Sequence, residues 1–173
     1  MRTFLGMAIG AAVLGLGGCG AELLRDVVKD IVHPWLTLGA EGSGTNQFTL
    51  PTGVALDTSG RIFVVDPNSR IVRFDDMSGA GWTELGSQGS GINQFSSPYG
   101  IAVDGTGRIY VADRSNNRIV RMNDMSGAGW ITFGSQGSGT NQFLVPVGVA
   151  VDSSGHIYIA DSNNHRIVRF VWP

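Results

Sequence analysis

Cysteine is almost missing from this sequence. Cys19 is its one thiol in 173 residues, so no disulfide framework can hold the fold together. Positive charge is sparse as well. The net charge is −2, the basic residues are nearly all arginines at recurring positions, and neither a basic patch nor a basic tail is present, so nucleic acid is a poor partner. Histidine is limited to His33, His156 and His165. His156 opens a strand and His165 follows its far end, about 15 Å away at the usual strand rise, so the two cannot share a metal within one chain. A serine elbow, a cysteine nucleophile and a pair of carboxylates outside the recurring positions are lacking too, and no catalytic constellation emerges. Nor is there a long hydrophobic run: the apolar stretch from Phe4 to Leu16 is short for a spanning helix.

What is abundant is glycine, 26 in all, clustered at the joints of a repeat. Pro51, Pro98 and Pro146 each open a Pro-x-Gly and fall 47 and 48 residues apart. Asp57/Asp66, Asp104/Asp113 and Asp152/Asp161 keep the same step, as do Trp35, Trp82 and Trp130. A fixed period of this size means that one supersecondary unit is stacked on copies of itself. In the second copy, apolar runs at 100–104, 109–113, 118–122 and 130–133 are separated by Gly, Asp and Asn turns. Four short strands in a row predict a four-stranded antiparallel meander, the unit of a β-propeller blade.

Asp161-Ser-Asn-Asn-His-Arg-Ile-Val-Arg-Phe170, preceded by Pro146-x-Gly-Val-Ala-Val-Asp152 and Gly155-His-Ile-Tyr-Ile-Ala160, resembles an NHL repeat. The third copy is nearest the family pattern, and the first departs from it, its polar loop Pro67-Asn68-Ser69 being one residue short. The expected fold is all-β: three NHL-type blades at 51–86, 98–134 and 146–170, with an N-terminal strand at 35–39. That strand is a fourth strand without a blade, while the last blade lacks its own fourth strand. Three blades are too few for a ring, which takes 4 to 8, and the resemblance implies six. A homodimer exchanging the 35–39 strand would supply six blades and cover every sheet edge. An incomplete gene product and an open three-blade monomer are the rival expectations.

Residues 1–18 read as a targeting segment. Leu16-Gly17-Gly18-Cys19 resembles a bacterial lipobox, which implies lipidation (palmitate) of Cys19 and a lipoprotein of the cell envelope, tethered to the membrane through its lipid. Gly20 after the cysteine points to the outer membrane. An ordinary secretory signal and a short membrane helix are the alternatives. Residues 19–34 form the linker, in which Leu23, Leu24, Val27, Val28, Ile31 and Val32 make an amphipathic helical stripe.

Residues that recur in every copy are assigned structural work. The aspartates ending the second strand accept backbone N–H groups of the following loop, the pairs Arg70/Arg73, Arg118/Arg121 and Arg166/Arg169 tie blades to aspartates, and Phe48, Phe95 and Phe143 plug the core between blades. Function is expected where the repeat is broken, at the end shared by the Pro-x-Gly mouths and the Asn-rich loops. The candidates there are Thr52, Asn68, Tyr99, Arg114, Asn116, Asn117, Asn163, Asn164 and His165. One arginine, several amides and a tyrosine suit a protein or glycan ligand. The expected role is a binding or scaffold module without a cofactor. The alternative is a calcium- or zinc-dependent lyase or hydrolase acting in the channel, with calcium held by aspartates and carbonyl oxygens of this same end.

Overall fold

Each apolar run of the repeat is rich in Val, Ile, Phe and Tyr and is closed by Gly or Asn at a position that bends the chain, and each becomes a strand. The structure is a computed structural model that describes residues 35–172. Residues 38–172 belong to one compact unit. The targeting segment, Cys19 and the amphipathic stretch lie outside the described residues.

The first sheet contains β1 (Gly53–Leu56), β2 (Ile62–Asp66), β3 (Arg70–Phe74) and β4 (Thr83–Leu85), in that spatial order. A connector follows, in which β5 (Ser87–Gln88) pairs in parallel with β6 (Gln94–Phe95). The second sheet repeats the meander with β7 (Pro98–Val103), β8 (Ile109–Asp113), β9 (Arg118–Met122) and β10 (Ile131–Phe133). The next connector pairs β11 (Ser135–Gln136) with β12 (Gln142–Phe143), again in parallel. The third sheet has only β13 (Pro146–Val151), β14 (His156–Asp161) and β15 (Arg166–Val171). Within the single chain, residues 35–39 carry no strand pairing. A strand exists only against a hydrogen-bonding neighbour; the pairing begins at the connector, where the Ala40 carbonyl accepts the Phe48 N–H at 2.9 Å and Glu41 bridges Phe48.

The core lies between the sheets, as face-to-face stacking requires. Phe63, Val65 and Ile71 of the first sheet pack with Ile101, Ile109, Val111, Val120 and Met122 of the second. The opposite face of the second sheet, Ala102, Tyr110, Ala112 and Ile119, packs with Ile157 and Ile159 of the third. Strand alternation explains this two-sidedness, because successive side chains leave a strand on opposite faces and each face meets a different blade. The recurring phenylalanines close each layer from the connector: Phe95 and Phe143 belong to the two inter-sheet clusters, and Phe48 covers Val64, Val72 and Phe74. The tryptophans support them, with ring centroids 5.3 Å apart for Phe48–Trp82 and 5.1 Å apart for Phe95–Trp130.

The Pro-x-Gly mouths are where the inner strands come closest. A Cβ at Gly53 would lie 2.7 Å from the Tyr99 carbonyl oxygen, and one at Gly100 would lie 2.6 Å from that of Val147. No side chain fits in such a gap, so glycine is demanded at both positions by the neighbouring backbone.

Candidate functional site

Register puts the Pro-x-Gly mouths and the polar loops at one end of the sheets. Pro98 pairs with Asp113 and Pro146 with Asp161, so each inner strand starts beside the loop that follows the second strand. This end is framed by three fully buried carboxylates. Asp66 accepts the Thr49 N–H at 3.1 Å, Asp113 that of Ser96 at 2.7 Å and Asp161 that of Leu144 at 2.7 Å. Each carboxylate also pairs with the arginine that opens the next strand: Arg70 at 3.1 Å, Arg118 at 2.7 Å and Arg166 at 2.8 Å.

Those guanidiniums then reach across to the connector. Arg118 donates to the carbonyls of Ser90 and Gln94 at 2.6 and 2.9 Å, and Arg166 to those of Ser138 and Gln142 at 2.6 and 2.7 Å. Arg70 does the same with Ser43 and Gln47 at 2.6 and 2.8 Å. The result is a charge-assisted clamp, repeated three times, that fixes the connector to the sheet. Burial pushes the Asp161 carboxyl up, but the Asn164 amide, the Leu144 N–H and Arg166 outweigh it and hold the group below its usual value.

The nine candidate residues divide by what their side chains do. Asn116 donates to the Gly89 carbonyl at 2.9 Å and to Asp113 at 2.8 Å; Asn164 does likewise with Gly137 and Asp161, both at 2.8 Å. Asn117 sits in the left-handed region (φ 51°), and its Oδ1 accepts the Val145 N–H at 2.9 Å. The Thr52 hydroxyl donates to the Tyr99 carbonyl at 2.9 Å, linking adjacent inner strands, and the Asn68 amide donates to the Thr49 hydroxyl. These five hold the framework. Tyr99, Arg114, Asn163 and His165 are the exposed remainder. Arg114 and Asn163 lie on short 3-10 turns at 114–116 and 162–164, and His165 ends the second of these at φ 53°.

Sequence reasoning passed over the glutamines of the connectors. Gln47, Gln94 and Gln142 each accept a glycine N–H at 3.0 Å and so shape the same turn three times. Their signal was available in the repeat, as the Asn-Gln-Phe at 46–48, 93–95 and 141–143.

At the opposite end, Asp57, Asp104 and Asp152 organise the turns between first and second strands. The His156 backbone N–H pulls the Asp152 carboxyl down to about 2, helped by the His156 ring, the Tyr158 hydroxyl and the Ser154 N–H. Among the described residues, no three of His, Cys, Asp and Glu are grouped as a metal site would need.

Comparison with known proteins matches this architecture. A family model described as the NHL repeat matches residues 95–122 and 143–170. No curated protein matches the sequence. Among solved structures, a catalytically inactive virginiamycin B lyase from Staphylococcus aureus with quinupristin aligns at a TM-score of 0.53 and 16% identity, covering 80% of this chain and 46% of that one. A selenomethionine-substituted virginiamycin B lyase from the same organism aligns at a TM-score of 0.50 and 15% identity, covering 75% and 43%. The chain spans less than half the length of either, and identities this low speak for the fold alone. Residues 95–122 and 143–170 carry NHL repeats, and the chain folds as the stacked antiparallel blades of a propeller-type, all-β protein.

Proposed function

We propose that this chain is a binding module that offers Tyr99, Arg114, Asn163 and His165 to a protein or glycan, held at a membrane through a lipid on Cys19. The observation that carries the reading is the division of labour at one end of the blades. The backbone there is fixed by three buried carboxylate–arginine clamps, while these four side chains project as exposed groups. A recognition surface gains from such an arrangement, since ordering is completed in the fold rather than at the moment of binding. An aromatic ring, a guanidinium, an amide and an imidazole supply stacking area with both donors and acceptors, which suits hydroxyl-rich or carboxylate-bearing ligands.

The test is binding of the immobilised full chain to a panel of defined oligosaccharides and acidic peptides. A Tyr99→Ala/Arg114→Ala variant should lose at least tenfold in affinity for whatever ligand is found, because a hydrogen bond to a charged group contributes about 1.5–3 kcal/mol. Its melting temperature should be unchanged. A ligand bound equally well by the variant, or no binding across the panel, would overturn this reading.

A further inference from the structure

The two end faces of the blade stack are copies of faces that are buried inside it. On the side each blade turns towards the next, Ile71 and Ile119 are both 0% exposed, whereas their counterpart Ile167 is 71% exposed. On the side turned towards the previous blade, Ile101 is 7% exposed, whereas its counterpart Val54 is 68% exposed and the nearby Leu56 is 60% exposed. Each open face carries a groove: one of about 350 Å³ beside Val54 and Ile62, the other of about 310 Å³ beside Ala160 and Ile167.

The glycine of the third mouth tells the same story. Gly53 and Gly100 are required because a neighbouring carbonyl oxygen lies 2.7 or 2.6 Å from where a Cβ would be. Gly148 meets nothing nearer than the Ala160 Cβ, at 3.2 Å. Among the described residues, no inner strand lies against it as one does against Gly53 and Gly100.

A third observation comes from the connectors. The turn after Gly39 (φ 129°) is built like those after Gly86 (φ 127°) and Gly134 (φ 103°), and is clamped by Arg70 as they are by Arg118 and Arg166. Before the later two connectors, Thr83–Leu85 and Ile131–Phe133 pair with the third strand of the blade just completed, opposite Ile71–Arg73 and Ile119–Arg121. Residues 36–38 hold that position before the first connector and have no sheet, while the matching stretch of β15, Ile167 to Arg169, has an open edge.

We propose that a second copy of this chain docks head to tail on the first, the open face of its first blade against Ile167 and Gly148, with its residues 36–38 forming the fourth strand on β15. The same contact is then made at the second seam. Such heterologous pairing closes when the rotation suits, and two copies of three blades give six, within the 4 to 8 that rings accommodate; three copies would give nine. The two readings share His165, which also lines the groove beside Ile167, and they are told apart by measurement: chain mass tests the seam, ligand affinity the exposed end.

The experiment is the mass of the full chain, purified in mild detergent, by light scattering after size exclusion. Twice the chain mass is expected. Ile167→Glu and Leu56→Glu should each give monomers with unchanged strand content by circular dichroism, since both side chains are exposed in the single chain. Mixing the two variants should restore a dimer, because one of the two seams is then built from unaltered faces only. A monomeric wild type, a dimer that survives both substitutions, or a mixture that stays monomeric would overturn the proposal. Gly148→Ala is the milder check: in the single chain the methyl group meets the Ala160 Cβ at a tight 3.2 Å, whereas an opposing inner strand would meet it with backbone, so strand content should be kept and the dimer should weaken at least tenfold.

Discussion

The carboxylates that end the second strands show how much one residue can hold. Asp113 is fully buried and serves the Ser96 N–H, the Asn116 amide and Arg118 at once. Removing it takes the carboxylate from a guanidinium whose side chain is only 11% exposed and leaves that charge with the Ser90 and Gln94 carbonyls. Asp113→Ala should therefore cost about 3–5 kcal/mol, as breaking a buried pair does, read as a shift in the urea midpoint. Asp161→Ala should cost less, because the Arg166 side chain is 33% exposed and water can replace the lost partner. Acid acts at both ends of the blades, on Asp161 at this one and most strongly on Asp152 at the other. The Asp152 carboxyl is lowered to about 2 in the fold, against about 3.9 unfolded, so its contribution is present above the unfolded value and is lost as pH falls through the folded one. The melting temperature should drop between pH 4 and about 2, and Asp152→Asn should flatten that part of the profile. That Asp66, Asp113 and Asp161 do structural work was legible from their recurrence, but the recurring N–H groups they hold are those of Thr49, Ser96 and Leu144 in the preceding connector rather than the following loop. Of each arginine pair only Arg70, Arg118 and Arg166 reach them, Arg73 pairing with Asp75 instead. That Asn116, Asn117 and Asn164 would be spent on the framework was not, because an exposed amide and one bonded to a connector look identical in a sequence.

Among elements, the strands were readable and the connectors were not. Alternation of apolar residues between Gly and Asp turns marks β7, β8 and β9 clearly. The glycine- and serine-rich stretch at 86–95 reads as linker, yet it forms a short parallel pair shaped by Gln94 and clamped by Arg118. Period-2 patterning cannot reveal a pair two residues long. The segment at 35–39 has the composition of a fourth strand but remains unpaired, since pairing is a property of two segments. Close approach of neighbouring inner strands was equally hidden, although Pro-x-Gly flagged the place. Gly100→Ala forces a methyl group against the Val147 carbonyl and should destabilise the fold by about 1–3 kcal/mol, the usual cost of overpacking, measured by thermal or urea unfolding.

At the scale of the whole molecule, the reading that remains to be tested first is attachment. If Cys19 is acylated, the full chain produced in a bacterial host should sediment with membranes and incorporate a palmitate analogue, whereas Cys19→Ser should stay in the soluble fraction unlabelled. A wild type found only in the soluble fraction would remove the anchor from the proposed function. The seam between the first two blades and the seam between the second and third bury matching residues, Ile71 in one and Ile119 in the other, each across from the same face of its neighbour. Blades joined this way are interchangeable in both directions. A gene coding for such a chain can lengthen or shorten by one whole period and leave every remaining seam intact, whereas a gain of half a period would strand an apolar face in water. Growth of this architecture is thus quantised, and the number of blades can drift over evolutionary time without any single residue in a seam having to change.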